Sequence, residues 1–238
     1  MRILGIESSS LVASVAVVTD EVMTAEYTVN FKKTHSQTLL PMIDEVVEML
    51  GMELDSVDAI AVSGGPGSFT GLRIGSATAK GLGFAMKKPL VHVPTVDAMA
   101  YNLFGSDLLI CPIMDARRNQ VYTGLYRCKE ELEVVKAQCA MDMKELMEEL
   151  DGWGETVVFL GDGVPVYRPM IEEMMKTAHL YAPAHLNRQR AGAVAALGAK
   201  YLAEGKVVSA EEFEPDYLRK SQAEREREEA QRSAAEME

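Results

Sequence analysis

The chain has 238 residues, enough for two subdomains with a substantial core, and its 47% hydrophobic and 25% charged residues mark a globular protein rather than a disordered one. Against 24 basic residues stand 36 acidic ones, and the resulting net charge of −12 disfavours direct, tight binding of nucleic acid. Cys111, Cys128 and Cys139 form no CxxC pair, which argues against a disulfide framework and a structural zinc site. With no signal-like start and no run of about 18 apolar residues, the expectation is a cytoplasmic protein that does not engage a membrane.

In chain order, residues 2–7, 12–18 and 21–27 predict three strands joined by short turns. Thr34-His35-Ser36-Gln37 then carries a helix-start signal, with Thr34 as cap and Gln37 able to bond back. Leu39, Ile43, Val46, Val47 and Leu50 follow the helical repeat to about Gly51, with Pro41 in the early part of the helix. Leu40, Met42 and Met49 widen this stripe, so the helix has apolar surface left over for a second contact. Residues 59–62 predict a strand that Ser63-Gly64-Gly65-Pro66-Gly67-Ser68 breaks. A helix over 70–86, a strand over 90–93 and a helix over 95–104 follow.

The second half predicts strands over 108–114 and 120–127, joined through Asp115-Ala116-Arg117-Arg118-Asn119. A helix over 142–150, a strand over 157–160 and an Ala-rich helix over 190–204, able to pack back on the first half, complete it. The order is that of an actin- and hexokinase-like (ASKHA) α/β fold, two subdomains each with a mixed sheet flanked by helices. The expected divisions are 1–105, a smaller 106–218, and a charged tail over 219–238 with no face to bury.

Three places could carry chemistry. Glu7-Ser8-Ser9 at the end of the first strand reads either as a phosphate or metal contact or as a hairpin turn with a polar strand end. The glycine-rich stretch from Gly64 to Gly75 could offer N–H groups at a helix start, but it is neither a Walker loop nor a GxGxxG. Gly71, Gly75, Ala79 and Gly83 recur every fourth residue, a costly pattern that implies close approach by this chain's own sheet or helix or by another subunit. Asp115-Ala116-Arg117-Arg118 reads as an anion holder or, in preference, as a tight turn with a local Asp–Arg pair. His35, His92, His179 and His185 form no ligand pair, and there is no GxSxG, so neither a catalytic metal nor a hydrolase nucleophile is signalled.

Together, Ile6-Glu7-Ser8-Ser9, His35-Ser36-Gln37-Thr38-Leu39-Leu40-Pro41, the block from Ser63 to Gly75, Asp115-Ala116-Arg117-Arg118 and Asp216-Tyr217-Leu218-Arg219 resemble the bacterial TsaB (YeaZ) family along nearly the whole chain. That resemblance implies a non-catalytic part in making threonylcarbamoyladenosine beside the tRNA anticodon. It implies binding to the catalytic homologue TsaD, help in recruiting the ATPase TsaE, and tRNA met only indirectly. It implies a homodimer when alone and a shared contact through the first two helices. On these helices His35, Leu39, Met42, Ile43, Val46, Leu72, Gly71, Gly75, Ala79 and Gly83 are the expected interface, and Glu7, Ser8 and Ser9 the candidate phosphate contact. No intrinsic cofactor is expected, although an adenine nucleotide could sit at the partner junction. Where TsaD carries a His-x-x-x-His metal pair, Thr95 and Met99 stand here, and neither replaces an imidazole. The competing readings are a small-molecule kinase or ATPase of the same fold, and a metallopeptidase.

Overall fold

The computed structural model describes residues 1–31 and 35–219. The capping role expected of Thr34 and the charged tail expected over 219–238, beyond its first residue, lie outside the described residues. Among those described, two five-stranded sheets share one topology. In the first, β1 (Arg2–Glu7), β2 (Val12–Thr19) and β3 (Val22–Asn30) form an antiparallel meander, while β4 (Ala59–Gly65) and β5 (Leu90–Pro94) add parallel strands on the far side of β1. The second repeats this with β6 (Ser106–Asp115), β7 (Gln120–Cys128), β8 (Leu132–Asp142), β9 (Val157–Leu160) and β10 (His179–Tyr181). This is the expected actin- and hexokinase-like arrangement.

Central strands read as continuous apolar runs because both faces are covered. On one face of the first sheet lie α1 (His35–Leu50) and α2 (Phe69–Met86); Leu39, Met42, Ile43 and Val46 of α1 share a core there with Leu4, Ile6, Ile60 and Val62. On the other face lies α6 (Ala191–Ala203), whose Val194, Ala195 and Leu197 meet Ile3, Ala59, Ala61 and Val91. The short α3 (Thr95–Tyr101) is buried from Thr95 to Ala100, because Ala98 packs with the first sheet while Val96, Met99 and Ala100 pack with Ile110, Tyr126 and Leu160 of the second. The outer face of the second sheet is closed by α4 (Met143–Trp153) and α5 (Val164–Met174), through Leu146, Leu150, Tyr167 and Ile171. The stack is therefore helix, sheet, helix, sheet, helix.

Several expectations need correction. The strand begun at Ala59 is not broken at Ser63 but runs to Gly65, because β5 continues to pair with it as far as Pro94. Pro41 stands at the seventh residue of α1, beyond the first turn, on the exposed side where the Gln37 carbonyl it leaves unpaired can meet water. The elements β8, α5 and β10 were not expected.

Candidate functional site

The ends of β1, β4, β6 and β9 converge on the cleft between the sheets, bringing Glu7, Ser63, Asp115 and Asp162 to one region. Glu7 is 1% exposed, and burial pushes its carboxyl above the ordinary range, with the Asp162 charge adding in the same direction. Its Oε1 accepts hydrogen bonds from both the Ser9 backbone N–H and the Ser9 hydroxyl, each at 2.6 Å. The Ser8 hydroxyl donates to the Gly71 carbonyl at 2.9 Å, and both serines are fully buried. The donors expected to face a phosphate are thus turned onto the chain itself.

The glycine stretch is filled in the same way. Ser68 caps α2 by accepting from Gly71 N, and its own N–H donates to Ser9 O at 2.6 Å. A Cβ at Gly71 or Gly75 would fall closer than 3.0 Å to Ser8, and one at Gly83 would strike Leu90. The small-residue face of α2 therefore lets the helix lie on the β1–β2 turn and sheet of its own chain. Leu39, Met42, Ile43, Val46, Leu72 and Ala79 are likewise core residues, and His35 Nε2 sits 3.0 Å from the Val12 carbonyl. The residues expected at an interface face inward. The exposed positions of the two helices are others: Leu40, Met49 and Phe84 are exposed by 54%, 79% and 60%, and Ala77, Gly81 and Ala85 of α2 are exposed as well. A groove of about 610 Å³ between the helices is lined by Leu40, Pro41, Val47, Leu54 and Leu82.

A feature that sequence reasoning missed crosses the cleft mouth. After Val208 bridges to Leu90, the chain is held by Lys80 Nζ, which donates to the Glu211 and Phe213 carbonyls, each at 3.0 Å. Asp216 N donates to Gly64 O at 2.6 Å, and its carboxylate lies 3.4 Å from His92 Nε2. Tyr217 stacks on Phe69 at 4.7 Å, and Arg219 donates to Ala116 O of the second half at 2.6 Å. The Asp216-Tyr217-Leu218-Arg219 motif was the available signal: three of its residues tie down this strap.

At the second half, the Asp115 carboxylate accepts from the Arg117 backbone N–H and from Tyr167 OH, at 2.8 and 3.1 Å. The turn is therefore an Asx turn, and the expected Asp–Arg ion pair is not formed. Asp162, raised by burial, accepts from Gln189 at 2.8 Å. Thr95 and Met99 are buried at 0% and 1% exposure, with Met99 against Gly161.

The chain is similar to known proteins along most of its length. A family model described as "TsaD: tRNA N6-adenosine threonylcarbamoyltransferase" matches residues 26–227. The TsaB protein of Bacillus subtilis is 35% identical over 94% of this chain and 96% of its own. The TsaB protein of Escherichia coli is 30% identical over the same shares. The chain belongs to the TsaB family. Its relatives are named for tRNA threonylcarbamoyladenosine biosynthesis, and TsaB membership places the chain in that process. The structure of YeaZ from Pseudomonas aeruginosa superposes with a TM-score of 0.75 at 25% identity, covering 91% of this chain and 99% of that one. No helix among the described residues is long and apolar enough to cross a membrane.

Proposed function

We propose that this TsaB-family chain is a non-catalytic partner subunit that docks a TsaD protein through the outward side of α1 and α2. Docking helps to bring in TsaE, and in the absence of TsaD the same surface joins two copies of the chain. The observation that carries the reading is that surface. Leu40 and Met49 of α1 and Phe84 of α2 are exposed, and beside Phe84 on α2 the exposed Ala77, Gly81 and Ala85 have small side chains that allow a partner helix to approach closely. The self-satisfied cleft supports the non-catalytic part, since Glu7, Ser8 and Ser9 have their hydrogen-bonding groups committed within the chain. An adenine nucleotide in such an assembly would belong to the junction with TsaD, and tRNA would be met only indirectly, through the assembly.

Mixing the chain with a purified TsaD protein on a sizing column tests this, with Gly81→Glu as the decisive variant. No atom lies within 4 Å of a Cβ built at Gly81, so the isolated chain accepts the new side chain. Wild type co-elutes at micromolar concentration, and the variant loses co-elution while melting no lower than wild type. Failure of wild type to co-elute under any nucleotide condition ends the docking reading. Unimpaired co-elution of Gly81→Glu ends the assignment of this surface.

A further inference from the structure

Helix α1 carries its charges in an order that works against the helix itself. A helix gains from acids in its first turn and bases in its last, where they meet the ends of its dipole. In α1 no acid stands in the first turn and no base in the last, while Asp44, Glu45 and Glu48 all fall in its second half. Asp44 and Glu48 lie one turn apart on one face, and Glu45 is three residues from Glu48, spacings at which like charges repel. All three are exposed, and none has an ion-pair or hydrogen-bond partner among the described residues. The helix thus bears a repulsion that its own chain does not relieve.

The same carboxylates border the groove between α1 and α2. Asp44 and Glu53 line it beside Leu40, Val47, Leu54 and Leu82, and no base lines it among the described residues. The bases of α2 point elsewhere. Arg73, Lys80 and, at the C-cap, Lys87 recur every seventh residue and share one face. Lys80 marks that face as the strap's, through its bonds to the Glu211 and Phe213 carbonyls. Toward α1 the second helix turns Ile74 and Leu82, which pack into the core that α1 shares.

An apolar groove with an acidic margin discriminates between occupants. A second copy of the chain, joined through a two-fold axis, brings this patch against itself, so carboxylates meet carboxylates. A partner helix with an apolar ridge between Lys or Arg side chains fills the groove and also pairs with the acids. We propose that the groove docks a basic helix of a partner protein, and that Asp44, Glu48 and Glu53 favour this partner over self-association. The inference rests on the docking reading above and adds what a docked TsaD must carry: Lys or Arg side chains opposite these carboxylates. The two associations then respond to salt in opposite senses, because screening weakens an attraction and relieves a repulsion.

The test uses the full chain with a purified TsaD protein. Binding to TsaD is followed by calorimetry and self-association by sedimentation, at about 0.1 and 1 M salt, where charges are screened beyond about 10 and 3 Å. Wild type is expected to bind TsaD on the order of tenfold more weakly at high salt and to self-associate more strongly. Asp44→Asn/Glu48→Gln keeps side-chain size and removes the repulsion within α1, so it melts no lower than wild type. At low salt it is expected to bind TsaD on the order of tenfold more weakly and to dimerise at lower concentration than wild type. Should the pair lower the melting temperature, Glu53→Gln, outside the helix, gives the same two shifts. Glu130→Gln/Glu131→Gln, at the β7–β8 turn, removes equal charge and is expected to match wild type. Failure of wild type to bind TsaD at either salt ends the docking reading and this proposal with it. Binding that ignores salt, is unchanged in Asp44→Asn/Glu48→Gln, or is equally weakened in Glu130→Gln/Glu131→Gln overturns this proposal and leaves docking standing.

Discussion

Replacing Gly75 by alanine should destabilise the chain, and the same replacement should stabilise it once Ser8 is alanine. A Cβ at Gly75 falls closer than 3.0 Å to the Ser8 hydroxyl oxygen, whereas its next neighbours, Ser8 Cβ at 3.5 Å and Val62 Cγ2 at 3.9 Å, are ordinary contacts. In wild type the new methyl group must displace that hydroxyl from the Gly71 carbonyl. Overpacking costs about 1–3 kcal/mol and the lost hydrogen bond about 1 kcal/mol. The gain in helix propensity returns about 1 kcal/mol, which leaves a net loss of about 1–3 kcal/mol by the same terms. Ser8→Ala alone costs about 1 kcal/mol, the hydrogen bond. In that background the obstructing oxygen is gone, so Gly75→Ala should gain about 1 kcal/mol from propensity alone. The four proteins form a double-mutant cycle with a coupling of about 2 kcal/mol or more, read from urea unfolding midpoints at constant slope. Equal destabilisation by Gly75→Ala in both backgrounds would refute the assignment of the α2 glycine face to the chain's own β1–β2 turn.

Two further predictions concern buried titrating groups. Asp97, between Tyr126 OH at 2.7 Å and Tyr201 OH at 3.5 Å, is raised above its ordinary 3.8 by burial, against the pull of those hydrogen bonds. A raised carboxyl contributes stability that is complete below the ordinary value and is lost as pH rises through the folded one. Asp97→Asn, which keeps an acceptor for Tyr126, should therefore show a flatter decline in urea midpoint between pH 4 and 7 than wild type; parallel profiles would contradict it. Burial also pushes the Cys111 thiol up to about 12 and the Cys128 thiol up to about 11. At pH 8 both should resist a thiol reagent in the folded chain and react at the unfolding rate in urea, and rapid labelling of either in the native state would be the opposing result.

Much of the fold was legible because the periodicity of α1, α2 and α6 and the apolar runs of β1, β4 and β9 agree with their burial. The direction of the α1 stripe was legible too, but its use was not. Leu39, Met42 and Ile43 exceed what one face of a sheet requires until β3 and the Phe213 segment are added to the same core. The glycine repeat of α2 signalled close approach correctly in kind, and only the three-dimensional neighbour, Ser8, decides whose backbone approaches. β8 escaped because an edge strand with half-exposed residues throughout has no clean alternation. α5 carries Pro165 and Pro169, which mask a helix whose buried residues are Tyr167 and Ile171. β10 is three residues long and is defined by its pairing with β9 rather than by its composition. At the cleft, Glu7 could be read as polar at a strand end, but that its oxygen takes both donors of Ser9 depends on the turn geometry.

The position of α6 has a consequence for how the chain acquires its structure during synthesis. The first sheet is complete in sequence at Pro94, yet one of its faces waits for Val194 to Leu197 and its opposite core waits for Phe213. At 5–20 residues per second the ribosome takes roughly 6–24 s to supply the missing segment. Throughout that interval Ile3, Ala59, Ala61 and Val91 lack the cover that α6 gives them. The amino-terminal half is thus born first but finished last, and the growing polypeptide passes through a long stage in which a chaperone would find an apolar sheet to hold.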